Sequence, residues 1–272
     1  MLRSPHDAPA PAHRIKFTGR ATELQRVPGR FYERSALILD AKEHPLAQVS
    51  MSLSVMGLRP IYSDDLDKLV ALAAERRAQV GALLLPGAHA SDWWEAVSKD
   101  VLEPLGLPPC AVLPVGPRIA APEAEALHAN GLRWALWEPF SPWELRFVVS
   151  MVLIETDPGD SRTQSRVPCS IPCEVDSQSR SLPAQITDLS TGGAFVQLAH
   201  PLAENTSVVL RGALCGHPVT MEARVAWRSG PSSPSWLDRG MGLEFQRTEL
   251  ATLDLLREQV GCSLERFRLR GQ

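Results

Sequence analysis

Val167-Pro168-Cys169-Ser170-Ile171-Pro172-Cys173-Glu174-Val175 carries an apolar side chain at every second position. A period of two belongs to a strand that buries one face. Pro168 and Pro172 fall on the other face, and because proline has no N–H to donate they predict a strand at a sheet edge or one with irregular pairing. The same period continues downstream. Ala184 and Ile186 lead into a turn at Ser190 to Gly193, and Ala194, Val196 and Leu198 alternate beyond it. Val208 and Leu210 follow, then the longest run, Val219, Met221, Ala223, Val225 and Trp227, and finally Met241, Leu243 and Phe245. Thr248 is placed to cap a helix with Leu250, Leu253 and Leu256 on one face, ending at Gly261. About six short antiparallel strands followed by one helix predict a small barrel with a helix packed on it.

Upstream of this region the rhythm changes. Thr156-Asp157-Pro158-Gly159-Asp160 is a cluster of turn formers and marks a boundary. Before it, apolar runs of strand length alternate with helical patterns: Ala36–Leu39, Pro60–Ser63, Gly81–Leu85, Cys110–Leu113 and Trp134–Trp137 read as strands. Between and after them lie five helical stretches. One follows Pro45 and ends near Gly57, and one is capped by Asp64 or Asp65 and runs through Val80. A third is capped by Ser91 and runs through Val101, a fourth runs from Pro122 to Asn130, and the last runs from Ser141-Pro142 to Ile154. Five β/α units predict a doubly wound parallel sheet. The expected organisation is a basic tail over 1–34, flexible or serving as a docking arm, then an α/β domain over 35–155, an all-β domain over 160–262, and a short basic tail over 263–272.

Bulk composition narrows the function. A net charge of −3 over 272 residues means that any anion-binding site must be local. Five cysteines, an odd and scattered set, do not form a secreted disulfide framework. No stretch approaches the ~20 apolar residues of a membrane span, and a cytoplasmic protein is expected. Cys169 and Cys173 lie four residues apart on one strand, ~13 Å between Cα atoms, too far to share a zinc ion. No metal is expected. Nor is an enzyme, since no nucleophile elbow, phosphate loop or metalloprotease helix occurs. The period-2 C-terminal half has no helix-turn-helix, which argues against nucleic acid as partner.

Two local features suit one kind of ligand. Arg162-Thr163-Gln164-Ser165-Arg166 stands at the entrance to the first barrel strand, and Asp188-Leu189-Ser190-Thr191-Gly192-Gly193 forms a turn between strands. A guanidinium can bind a phosphate, hydrogen-bond guanine O6 and N7, or stack on a purine. A carboxylate such as Asp188 can accept from the N1–H and N2–H edge of guanine. Ser190 and the amides of a glycine-rich turn can bind a phosphate oxygen, with Gly192 and Gly193 free to take positive φ.

Arg162 and Arg166, followed by Asp188, Ser190 and Gly193, resemble the paired signature of PilZ domains. Gly240-Met241-Gly242-Leu243-Glu244-Phe245 is similar to that family's closing strand. The resemblance covers about residues 160 to 260. It implies a six-stranded barrel that binds cyclic di-GMP between the arginine-bearing segment and the barrel surface, with those five residues as the nucleotide-binding set.

Leu136-Trp137-Glu138-Pro139-Phe140-Ser141-Pro142-Trp143 resembles the fifth strand and last loop of response-regulator receiver domains, over about residues 35 to 154. That resemblance implies a flavodoxin-like fold with strand order 2-1-3-4-5. The family's chemistry needs an acidic pair after the first strand, an aspartate after the third, a hydroxyl after the fourth and a lysine after the fifth. Here Asp40 and Glu43 supply part of the first. The third strand ends Leu85-Pro86, the fourth Pro114-Val115-Gly116, and Glu138 stands at the lysine position, where it would repel a phosphoryl group. Asp40 then reads as a helix cap or a remnant, and the domain as a non-phosphorylatable pseudo-receiver that offers a surface to an unidentified protein partner. Of its tryptophans, Trp93 and Trp94 are neighbours on a helix, so one of them is expected to be exposed. The combined expectation is a cyclic di-GMP-binding signalling effector. The alternative is a nucleotide-independent interaction module in motility, pilus or polysaccharide control.

Overall fold

The computed structural model describes residues 34–42, 46–75, 79–156, 166–177, 180–229 and 239–270. In the first domain, β1 (Ser35–Leu39), β2 (Arg59–Ser63), β3 (Val80–Pro86), β4 (Val112–Gly116) and β5 (Leu136–Trp137) form an all-parallel sheet in the order β2-β1-β3-β4-β5. Every residue of β1, β3 and β4 is buried, as their unbroken apolar runs require for strands covered on both faces. Alternate residues serve opposite layers. Ile38, Leu84 and Leu113 pack with α1 (Ala47–Val55) and α6 (Pro142–Thr156). Leu37, Leu83 and Val112 pack with α2 (Leu66–Ala74), α3 (Ala90–Ala96) and α5 (Ala121–Ala129). This is the flavodoxin-like, doubly wound sheet that the β/α rhythm predicts.

Element boundaries moved where local chemistry decided them. Asp65 is the cap of α2, accepting the Lys68 N–H at 3.0 Å, but the helix stops at Ala74 because Val80 already belongs to β3. Ser91 is not a cap: α3 starts at Ala90 and continues through a π-helical stretch, Val97–Leu102, and α4 (Glu103–Leu105), to a left-handed Gly106 at φ 67°. Pro109–Ala111 is a 3₁₀ turn, so β4 begins two residues after Cys110. Ser141 and Glu144 form a capping box at the start of α6: the Ser141 N–H donates to Glu144 Oε2 (2.7 Å) and the Glu144 N–H to Ser141 Oγ (3.2 Å). Trp93 and Trp94 both reach the second core and are half-buried, with Trp93 stacked on His89 at 4.9 Å. The expectation of one exposed indole fails because neighbours about 100° apart on a helix can each lay a wide ring along the core's margin.

The second domain is a closed barrel in the order β10-β11-β8-β7-β6-β9, built from β6 (Val167–Ser177), β7 (Arg180–Ser190), β8 (Gly193–Gln197), β9 (Ser207–Leu214), β10 (His217–Arg228) and β11 (Gly240–Phe245). Closure removes every edge, so β6 is not an edge strand. Its prolines are accommodated by the irregularity also predicted, a register shift between Pro168 and Ile171. The C-terminal helix α7 (Leu250–Glu265) runs four residues past Gly261 and starts after Glu249, which makes no side-chain cap bond, rather than at Thr248.

The two domains share one apolar core. α6 is apolar around most of its circumference, the pattern of a helix covered on more than one side. Its Leu145, Phe147, Val148, Val149, Val152 and Leu153 are all buried, in a cluster that continues into Val167, Leu256, Val260 and Phe267. After α7 the chain turns back onto the first domain. Phe267 O accepts the Ala135 N–H (2.8 Å), the Leu269 N–H donates to Arg133 O (2.9 Å), and Trp134 and Arg268 form an antiparallel bridge. The stretch 263–272, set apart by sequence as a tail, thus contains a buried Phe267 and Leu269 that cover the β5 side of the parallel sheet.

Candidate functional site at the barrel rim

β6 and β7 pair antiparallel with Val167 opposite Leu189 and Pro168 opposite Asp188. Val167 and Leu189 point inward and are fully buried. The same register sets Arg166, one residue before Val167, across from Ser190. Arg166 is exposed. Arg162 lies outside the described residues. Four of the five sequence-predicted residues, Arg166, Asp188, Ser190 and Gly193, are therefore gathered at one end of the barrel, where β6 begins and β7 turns into β8.

Their local roles differ. Ser190 is 3% exposed, and its hydroxyl donates to the Gly193 carbonyl at 3.1 Å, closing the turn. Gly193 pairs with Ser190 on one side and with Glu244 on the other. A Cβ there would overlap the Leu243 carbonyl oxygen, so the glycine is required by close backbone approach. Neither Gly192 nor Gly193 has positive φ, contrary to the sequence reading. The Gly192 carbonyl accepts the Phe245 N–H at 3.0 Å and ties the turn to β11.

Asp188 opens a row that runs straight across the barrel wall: Pro168, Asp188, Phe195, Gly242 and Trp227 are successive cross-strand neighbours on β6, β7, β8, β11 and β10. The Trp227 indole lies over Gly242, whose missing side chain makes room for it, and stacks on Phe195 at 5.3 Å with 15° between planes. Sequence reading placed Trp227 only at the end of an alternating run and gave Phe195 no role. Beneath the row, burial raises the Cys169 and Cys173 thiols to about 12, and the Asp188 charge adds to the effect on Cys169. They are inert core thiols. Among the described residues no group of three His, Cys, Asp or Glu side chains could hold a metal ion. A hollow of about 750 Å³ lies at the opposite end of the β6–β7 hairpin, lined by Asp176, Arg180 and Arg211. There Arg211 is bonded to Asp176 at 2.8 Å.

The first domain also reaches this rim. Arg146 of α6 forms an ion pair with Asp188 (Nη2 to Oδ2, 3.6 Å) and lies 5.5 Å from the Trp143 ring centroid. The sequence signal for it is the single cation of a mostly apolar helix, which sequence reading passed over.

The family model for the PilZ domain matches residues 160–261. Those residues are a PilZ domain. Among solved structures, the PilZ domain of CeSA from a cellulose-synthesizing bacterium is 29% identical over 36% of this chain and 96% of that one, with a TM-score of 0.29. The PilZ domain of YcgR from Escherichia coli, solved with c-di-GMP, is 17% identical over 39% of this chain and 93% of that one, with a TM-score of 0.32. A response regulator receiver domain protein from Clostridium thermocellum is 13% identical over 45% of this chain and 95% of that one, with a TM-score of 0.38. No curated protein matches the chain. Outside the PilZ domain the receiver likeness is distant. No helix among the described residues is long and apolar enough to cross a membrane.

Proposed function

We propose that this protein is a non-enzymatic effector that binds cyclic di-GMP at the rim of its PilZ domain. Arg162, Arg166, Asp188, Ser190 and Gly193 form the binding set, and the unidentified downstream partner is a protein that docks on the receiver-like domain. One observation supports the reading: the β6–β7 register, with Val167 opposite Leu189, sets Arg166 across from Ser190 and two residues along from Asp188, close enough for one dinucleotide to contact both. Asp188 offers a carboxylate to the guanine N1–H and N2–H edge, and Arg166 an exposed guanidinium to phosphate or purine. Ser190 and Gly193 act by holding the turn shut, and any contact they make is through the backbone. Calorimetric titration of the full chain with cyclic di-GMP tests this. Binding by wild type and its loss in Arg166→Ala are expected. A flat wild-type titration removes the sensor reading and leaves the adaptor.

In the same reading the receiver-like domain takes no phosphoryl group. Asp40 is 1% exposed and satisfied, accepting from Ala41 N (2.8 Å), Leu46 N (3.1 Å) and the Tyr62 hydroxyl (2.8 Å). Such a carboxylate caps α1 and is not offered to Mg²⁺. A Cβ on Gly87 would come within 2.8 Å of the Trp137 ring, which fills the space above the end of β3. Incubation with Mg²⁺ and acetyl phosphate is expected to add no mass to the protein. A stable phosphoryl adduct on this domain would overturn this part.

A further inference from the structure

We infer that Arg146 of α6 is a ligand-binding residue, so that the nucleotide site is built from both domains. The inference rests on the cyclic di-GMP reading and extends it to a residue outside the PilZ domain. Arg146 reaches Asp188, the carboxylate assigned to the guanine edge, at 3.6 Å. A carboxylate has roughly four acceptor positions, so a guanine edge and a guanidinium can share it. The alternative, a cation that must leave before ligand enters, fits the geometry poorly. Arg146 stands on a helix whose neighbours Leu145, Phe147, Val148 and Val149 are buried in the core common to both domains. That helix is further tied to the C-terminal segment by Glu144–Arg266 at 2.8 Å and by Phe147 against Phe267 at 5.3 Å. Both ends of the contact thus lie on packed elements. The Arg146 guanidinium lies beside the Trp143 ring and against Asp188, while Arg166 precedes β6. A ligand carrying two phosphates and two purines can then draw on the charge of Arg146 as well as that of Arg166.

The test is calorimetry with cyclic di-GMP on the full chain as wild type, Arg146→Ala, Arg146→Gln and Arg266→Ala. Arg146→Ala and Arg146→Gln are expected to weaken binding about 10- to 100-fold, the range for a lost hydrogen bond to a charged group, while Arg266→Ala stays within about twofold. Glutamine keeps a polar donor on a shorter stem, so it carries the test if alanine disturbs the fold. On wild type, cyclic di-GMP is expected to protect Arg146 from phenylglyoxal, read by peptide mass spectrometry. Wild-type or tighter affinity in the Arg146 variants, equal weakening by Arg266→Ala, or unchanged labelling of Arg146 would each overturn the inference. A wild type that does not bind sinks the underlying reading instead, so the two failures are separable.

Discussion

The carboxyl end of the parallel sheet and the rim of the barrel are both places where folds of their kind put ligands, and in this chain they have diverged. At the sheet, Asp40 is closed off by two backbone amides and Tyr62, and Trp137 packs over Gly87. At the rim, Ser190 and Gly193 hold the turn, Asp188 is ion-paired with Arg146, and Arg166 is exposed. The difference teaches that a buried, fully satisfied carboxylate is scaffolding even where its position in the fold suggests chemistry. In the proposed function, a carboxylate whose neighbours are a cation and an aromatic row is the one assigned to recognition.

The comparison can be broken at several points. Phe267→Ala, at the seam that joins the two regions, is expected to cost about 3–5 kcal/mol, the range for a buried aromatic truncation. Urea unfolding followed by circular dichroism should then resolve two transitions in place of one, and a single unshifted transition would show that the regions do not depend on each other. Asp40→Ala should cost about 2–3 kcal/mol, because it leaves two buried N–H groups and the Tyr62 hydroxyl without their acceptor, yet leave cyclic di-GMP affinity unchanged. Arg166→Ala should do the reverse. An affinity loss of about 10- to 100-fold is expected with stability within about 0.5 kcal/mol of wild type, as for an exposed side chain. If Asp40→Ala weakened binding as much as Arg166→Ala, the division between scaffold and site would fail.

The smallest effect is on pH dependence. Cys169 and Cys173 are raised by burial from an ordinary 9.0 to about 12. Above 9 the unfolded chain has lost these protons while the folded chain keeps them, so stability falls as pH rises. The contribution is complete below about 9 and is lost between there and about 12. Thermal melts at intervals from pH 7 to 11 check this. Cys169→Ala with Cys173→Ala should flatten the alkaline slope, and an unchanged slope would point to other groups, with Tyr62, also raised by burial and by Asp40, the first to examine.

Much of the molecule was legible in the order of its residues. Period-2 alternation from Val167 to Phe245 gave the barrel strands, and unbroken apolar runs such as Ala36–Leu39 gave the strands of the parallel sheet, because burial selects side chains locally and the pleat repeats every two residues. The Arg166 and Asp188-to-Gly193 signature was likewise readable, since each half is a short stretch of chain. Boundaries such as the end of α2 at Ala74 and of α7 at Glu265 were missed, because helix ends depend on what the next element packs against.

What only the tertiary structure decided is what meets across distance. That Arg166 stands opposite Ser190 is a matter of strand register, that Phe195 and Trp227 stack beside Asp188 follows from barrel closure, and that Arg146 reaches the same carboxylate depends on how α6 seats against the barrel. Local sequence sets the period and the face of each element. Which faces are brought together is settled by burying one continuous core, a property of the whole chain and of no single stretch within it.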